Sequence, residues 1–266
     1  MSIKLIAFDL DGTLLNNEHQ LEMETVETIK KLQSKGITTL TATGRMFCSA
    51  LPYIKQLNIK EAVINYNGAL VVDPVKEEVI FHDPIPLKTA REIIEFAANE
   101  GYYLQVYLDD RLFIEKKQEE TSIYEKTAGI KAEEVGSLNE FIKKPPTKLV
   151  IIENDSKLHK EIYNKLSEKF ADRLEVTTSI NNFVEMTARD ISKASALKKI
   201  ADKLSVNREE IMAFGDGLND LKMLQWVGHG VAMENGHPEL KENIKNIAPR
   251  NIELGAAKYL KAYFNL

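Results

Sequence analysis

Leu5, Ile6, Ala7 and Phe8 form an apolar run that ends abruptly in Asp9-Leu10-Asp11-Gly12-Thr13. A run this short and uniformly apolar predicts a strand buried on both faces, which is the habit of parallel sheets in layered α/β folds. Residues two apart in an extended chain point to the same side, so Asp9 and Asp11 come together where the strand opens into a loop. In open α/β sheets, that carboxyl end is where ligands bind. Adjacent carboxylates repel each other, so the pair implies a cation between them or a shared proton. A calcium loop of the EF-hand kind, counted from Asp9, fails. Its sixth position is Leu14, where glycine is needed, and its twelfth is Gln20, where glutamate is needed.

The same pattern recurs along the chain. Leu21, Val26, Ile29 and Leu32 sit near helical spacing and predict a helix closed by Gly36. Ile37 to Thr43 reads as a second buried strand, ending in Thr43-Gly44-Arg45, with a helix expected over Arg45–Leu57. Ala62-Val63-Ile64 reads as a third strand, ending in Asn65-Tyr66-Asn67-Gly68. Short apolar strands alternating with helices predict a doubly wound, Rossmann-like parallel sheet. A hairpin is expected around Asp73-Pro74.

From Pro84 to about Thr187 the pattern changes to helices interspersed with adjacent strands. This predicts an α+β module inserted into the first domain, with an antiparallel sheet and helices on one face. The boundaries expected are 1–83 and 190–266 for the core and 84–189 for the insert. The alternation resumes after Asp190. Ser192 is placed to cap a helix, although Lys193 then sets a positive charge against the helix dipole. That conflict points to another job for Lys193. Ile211-Met212-Ala213-Phe214 is a further buried strand ending in acid, Gly215-Asp216-Gly217-Leu218-Asn219-Asp220.

Strand ends of one parallel sheet converge on one edge. Asp9, Asp11, Thr43, Lys193, Asp216, Asn219 and Asp220 would therefore meet there. Carboxylate oxygens suit Mg²⁺, a hard cation usually held by few protein ligands plus water and phosphate. A hydroxyl, a lysine and loop amides suit phosphoryl oxygens. The set is what metal-assisted phosphoryl transfer requires.

These residues carry a resemblance to the haloacid dehalogenase superfamily. Asp9-Leu10-Asp11-Gly12-Thr13 resembles its motif I, Thr43 motif II, Lys193 motif III and the 215–220 stretch motif IV. Thr43-Gly44-Arg45, Asn67-Gly68-Ala69 and Ser192-Lys193 are similar to the Cof-like subclass IIB, which carries a large α/β cap between motifs II and III. Ala194 departs from the glycine common there. The resemblance implies a phosphatase acting on small phosphorylated metabolites, sugar phosphates among them. It implies Asp9 as nucleophile, Asp11 as acid and base, and Mg²⁺ held by Asp9, the Asp11 carbonyl and Asp216. It also implies Thr43, Lys193 and Asn219 at the phosphoryl oxygens. Asp220 would orient metal-bound water or Lys193, and Gly44, Arg45 and Asn67 would face phosphate or substrate. The cap would read the leaving group, with Tyr107, Asp109, Arg111 and Tyr124 as candidates. A phosphomutase on the same scaffold and a non-catalytic regulatory protein are the competing readings.

The net charge of −5, without a basic stripe interleaved with aromatics, predicts no nucleic-acid partner. A single cysteine, Cys48, excludes an internal disulfide framework and is expected to be buried. No apolar run approaches the roughly 20 residues of a membrane helix. With no signal-like segment ahead of the first strand, a cytoplasmic protein is expected. The five histidines show no metal-ligand spacing. Gly228-His229-Gly230 begins like a dinucleotide fingerprint but lacks the third glycine at Met233.

Overall fold

All of β1 (Leu5–Phe8) is buried, because helices cover both faces of the sheet it centres. The computed structural model describes residues 2–178 and 182–266. After β1 come α1 (Met23–Ser34), β2 (Thr38–Ala42), α2 (Phe47–Gln56) and β3 (Val63–Asn65). The chain then turns back on itself through β4 (Leu70–Asp73) and β5 (Glu78–His82), the expected hairpin. It next builds a second sheet and its helices: α3 (Leu87–Glu100), β6 (Leu104–Leu108), β7 (Arg111–Ile114), α4 (Glu119–Ala128) and β8 (Ala132–Glu134). That layer continues with α5 (Leu138–Phe141), β9 (Lys148–Ile152), α6 (Ser156–Lys169), β10 (Leu174–Thr178) and β11 (Phe183–Ala188). The return to the first sheet runs through α7 (Lys193–Leu204), β12 (Ile211–Gly215), α8 (Leu221–Trp226), β13 (His229–Met233), α9 (Pro238–Asn243), β14 (Asn246–Ala248) and α10 (Gly255–Phe264).

The first sheet has the order β14-β13-β12-β1-β2-β3-β4-β5 and is parallel except where β4 and β5 fold back. The chain leaves β1 in one direction and later returns to its other side through β12, which makes the end of β1 the point where strand order reverses. Period-two alternation divides the strand residues between two cores. Ile6, Phe8, Met212 and Phe214 pack with α1, α2 and α10, while Leu5, Ala7, Ile211 and Ala213 pack with α7, α8 and α9. Phe8 and Phe214 stack with ring centroids 5.4 Å apart, which ties the two strands together just before their acidic ends.

The second sheet has the order β10-β11-β9-β6-β7-β8. It is antiparallel as expected, except that β8 pairs with β7 in parallel. The segment Ala132–Glu134 is too short and too polar to read as a strand, and it is recruited by pairing alone. Helices α3, α5 and α6 cover one face around Ile93, Leu138 and Ile162. The opposite face, with Tyr107, Val150 and Ile152, packs on Met46, Tyr66 and Ile191 of the first sheet's loops and on Leu70 of β4. The second sheet thus lies over the carboxyl edge of the first.

Two expectations need correction. Helix α2 begins at Phe47, not Arg45, because the Arg45 carbonyl accepts from Tyr66 N (3.1 Å) and Asn65 Nδ2 (3.2 Å) instead of entering a helical ladder. Cys48 is exposed, not buried; α2 turns Ser49, Ala50 and Ile54 inward and leaves Cys48 on the other side. Among the described residues, no helix is long and apolar enough to cross a membrane.

Candidate active site

The turn after β1 is tight. Gly12 adopts φ +72°, and a Cβ there would collide with the carboxylate of Asp216. Glycine is therefore required both by the backbone and by the close approach of the two acidic loops. Asn235 Nδ2 holds the Gly12 carbonyl at 2.8 Å, and Asp9 N donates to the Phe214 carbonyl at 3.0 Å. The turn after β1 is thus fastened to the end of β12 on one side and to the loop after β13 on the other.

Lys193 is fully buried at the first turn of α7, whose N-terminus is capped by Ser192 through Ser195 N. Its Nζ donates to Asp9 Oδ1 at 2.7 Å and to Asp220 Oδ1 at 2.7 Å. Burial pulls the ammonium pKa down, but Asp220 and Asp9 outweigh this and leave it raised above its ordinary value. Asp220 is committed elsewhere too, since its Oδ2 accepts from Asp216 N (3.1 Å) and Gly217 N (3.0 Å). Burial raises Asp9 well above the ordinary carboxylate range. Lys193 offsets this in part, while Asp220, Asp216 and Asp11 add to it. Asp216 is pushed up to about 7 by burial and by Asp220. Oxygens of Asp9, Asp216 and Asp220 lie within 4.8 Å of one another. One lysine cannot neutralise so many carboxylates, and the donor set is all hard oxygen, so a small divalent cation fits.

Asp11 points the other way. Arg45 Nε donates to its Oδ2 at 2.7 Å and Nη2 to its Oδ1 at 2.6 Å, while His19 Nδ1 lies 3.1 Å from Oδ1. Burial alone would raise Asp11, but these hydrogen bonds hold it well below the ordinary carboxylate range. Arg45 also donates through Nη1 to Ser49 Oγ at 3.2 Å and lies over the Tyr53 ring. Thr43, at the end of β2, accepts from Arg45 N through Oγ1 at 3.1 Å.

These groups border a cavity of about 490 Å³ between the two sheets, within the range typical of small-molecule sites. Asp9, Asp11, Thr43, Gly44, Arg45, Asp216 and Asn219 line it. Lys193 and Asp220 stand behind Asp9 with no exposed surface. Asn67 sits behind Asn219, whose Nδ2 donates to Asn67 Oδ1 at 3.0 Å.

Several cavity residues were not foreseen. Lys148 and Glu185, on β9 and β11, are both buried and pair at 3.3 Å. Lys148 Nζ also donates to the Gly44 carbonyl at 3.1 Å, and Asn67 Nδ2 donates to Glu185 Oε2 at 2.6 Å. A polar chain thus runs from the second sheet into the loops of the first. The signal was a charged residue within an otherwise apolar strand, Phe183-Val-Glu185-Met. Of the candidates in the insert, Tyr124 lines the cavity. Tyr107 is buried, while Asp109 pairs with Lys144 and Arg111 with Glu133. His19, one of the five histidines without metal-ligand spacing, lies beside Asp11.

Known proteins resemble this chain in sequence and fold. Residues 6–260 match the family of haloacid dehalogenase-like hydrolases. Phosphatase YwpJ of Bacillus subtilis is 30% identical, over 97% of this chain and 99% of its own length. The 5-amino-6-(5-phospho-D-ribitylamino)uracil phosphatase YitU of the same organism is 31% identical, over 98% of both chains. The crystal structure of TM0651 from Thermotoga maritima superimposes with a TM-score of 0.85 at 33% identity, over 98% of this chain and 97% of that one. With its family match nearly end to end and named phosphatases aligned over its whole fold, the chain belongs to the haloacid dehalogenase-like hydrolases and is a phosphatase among them.

Proposed function

We propose that this phosphatase hydrolyses small phosphorylated metabolites, sugar or polyol phosphates among them, through a phosphoryl group carried on Asp9. The observation that supports this most is the division of labour between the two aspartates. Asp9 lies at the cavity floor against Lys193 and Asp216, whereas Asp11 is held to one side by Arg45. On this reading Asp9 attacks and Asp11 moves protons.

Asp9 attacks phosphorus, and the bond to the leaving oxygen breaks as Asp11, ionised in its Arg45 fork, relays to that oxygen a proton brought in by the monoanionic ester. Asp11 then takes a proton from water, which attacks the same phosphorus and frees phosphate from Asp9. Dividing one displacement into two easier ones is the gain of covalent catalysis. Acid–base help of this kind is typically worth about 10²–10⁴-fold. Asp9, Asp216 and the Asp11 carbonyl would hold Mg²⁺, which when bound neutralises phosphoryl charge and keeps Asp9 ionised. Lys193 holds the Asp9 carboxylate in place from behind. Thr43 and Asn219 border the space for the phosphoryl oxygens, and Asp220 orients Lys193.

We read 84–189 as a cap of the subclass IIB kind that reads the leaving group. Tyr124, Phe183 and Ile152 give the cavity apolar walls, and Lys148, Glu185 and Asn154 give it polar ones. That mixture suits a hydroxylated chain or sugar, and YitU, by its name, acts on a phosphorylated polyol joined to a uracil. A phosphate-release screen over phosphorylated metabolites, with Mg²⁺ or with EDTA, tests the reading. Inorganic phosphate released only with Mg²⁺ supports it. Interconversion of phosphate isomers without release would show a mutase instead.

A further inference from the structure

Helix α2 begins without a cap of its own. Met46 precedes it, and a thioether cannot satisfy the free N–H groups of a first turn. The cap comes from the other sheet. Asp110 accepts from Phe47 N through Oδ1 at 2.9 Å and from Cys48 N through Oδ2 at 2.7 Å. Its backbone carbonyl faces Cys48 Sγ at 3.5 Å, and Tyr66 OH donates to Oδ1 at 2.7 Å.

Asp110 reaches this position from the tip of the β6–β7 hairpin, where Leu108 pairs with Arg111 and only Asp109 and Asp110 make the turn. Both adopt left-handed backbone, φ +52° and +55°. That geometry is ordinary for a two-residue hairpin, but it usually selects glycine or asparagine. An aspartate at the second position has a use that glycine could not serve. Asp109 turns to Lys144, and Asp110 turns down onto α2.

The start of α2 matters because of what adjoins it. Arg45 lies two residues ahead of Phe47 and grips Asp11, and Ser49 in the same turn accepts from Arg45 Nη1. Tyr66 OH meets the same Asp110 oxygen, and Tyr66 N donates to the Arg45 carbonyl. Asp110 therefore touches both elements that hold Arg45 in place.

We propose that Asp110 is a positioning residue: docked on α2 from the second sheet, it fixes the helix start and Tyr66, and through them the Arg45–Asp11 pair. The proposal rests on the phosphatase reading, in which Asp11 protonates the leaving oxygen. When Asp110 is undocked, proton transfer should suffer more than phosphoryl transfer itself.

The test compares Asp110→Ala and Asp110→Asn with the wild-type chain on two esters and one thiol. An alkyl phosphomonoester needs its leaving oxygen protonated, and an activated aryl phosphate does not. In Asp110→Ala the alkyl ester should slow on the order of tenfold, the size of a lost N-cap expressed as a rate. The aryl ester should change much less, and Asp110→Asn, which keeps one acceptor, should fall between. Cys48, the chain's one cysteine, reports docking without any substrate. Partial enclosure and the Asp110 carboxylate push its thiol up to about 12. Alkylation by iodoacetamide at fixed pH should therefore quicken in Asp110→Ala. Equal slowing of both esters would mean a merely structural role and overturn the proposal. Unchanged alkylation would show that Asp110 is not docked on α2 and would overturn it as well. A wild-type chain that hydrolyses neither ester overturns the phosphatase reading instead, a result separable from the thiol rates.

Discussion

Arg45 grips both carboxylate oxygens of Asp11, at 2.7 Å through Nε and 2.6 Å through Nη2. A planar guanidinium meeting a carboxylate in this forked way fixes direction as well as charge. Arg45→Met removes the fork and leaves Asp11 free to rotate. Hydrogen bonds to charged groups are worth about 1.5–3 kcal/mol, so kcat on an alkyl phosphomonoester should fall roughly ten- to a hundredfold. Arg45→Lys should not restore it, because a point charge cannot reproduce the fork. Steady-state kinetics of the two variants decides this.

Lys193 Nζ bridges Asp9 and Asp220, with Lys193 and Asp220 sealed from water and Asp9 nearly so at the cavity floor. Lys193→Met would leave two buried carboxylates without their counter-charge. Breaking a buried pair on one side typically costs about 3–5 kcal/mol, and turnover should vanish with it. Urea unfolding of the variant, followed by circular dichroism, measures the loss. The effect is expected across the neutral range, because the raised Lys193 pKa keeps the ammonium charged until strongly alkaline pH.

Stability and cation binding should both respond to pH through Asp216, which is pushed up to about 7 from an ordinary value of 3.8. A carboxyl raised in the folded state favours folding below its unfolded pKa. That contribution is lost as pH rises towards the folded value, because the unfolded chain ionises first. Without divalent cation, the Asp216 contribution to stability should therefore fall between about pH 4 and pH 7. Binding of Mg²⁺ requires the ionised form, so it should release protons, and the stabilisation it confers should grow as pH approaches 7. Thermal unfolding over a pH series, with and without Mg²⁺, tests this. A Mg²⁺-induced shift that ignores pH would contradict it.

The centre of the first sheet was legible because β1 and β12 are buried on both faces and carry no polar residue until they end. Leu5–Phe8 and Ile211–Gly215 state both their class and their boundary. The strand ends also announced the cluster of carboxylates, since parallel strands can bring distant residues only to one edge. What stayed hidden depends on pairing across sequence. Ala132–Glu134 is a strand only because β7 lies beside it. Lys148 and Glu185 looked like isolated charges until β9 and β11 set them on the same face, in register beside the Gln105 and Tyr107 side of β6. His19 showed no spacing to any partner, and the turn that places it at Asp11 is a loop property. The late start of α2 was missed for a similar reason, as the Arg45 carbonyl is claimed by residues that follow it by twenty positions.

In the proposed mechanism an oxygen of Asp9 is transiently bonded to phosphorus. Borohydride added during turnover reduces an aspartyl phosphate to homoserine, which mass spectrometry of the N-terminal peptide can locate. Homoserine is expected at position 9 only when substrate and Mg²⁺ are both present, and none in Asp9→Asn, which should also release no phosphate. Phosphate release that survives Asp9→Asn, or homoserine at another aspartate, would contradict it.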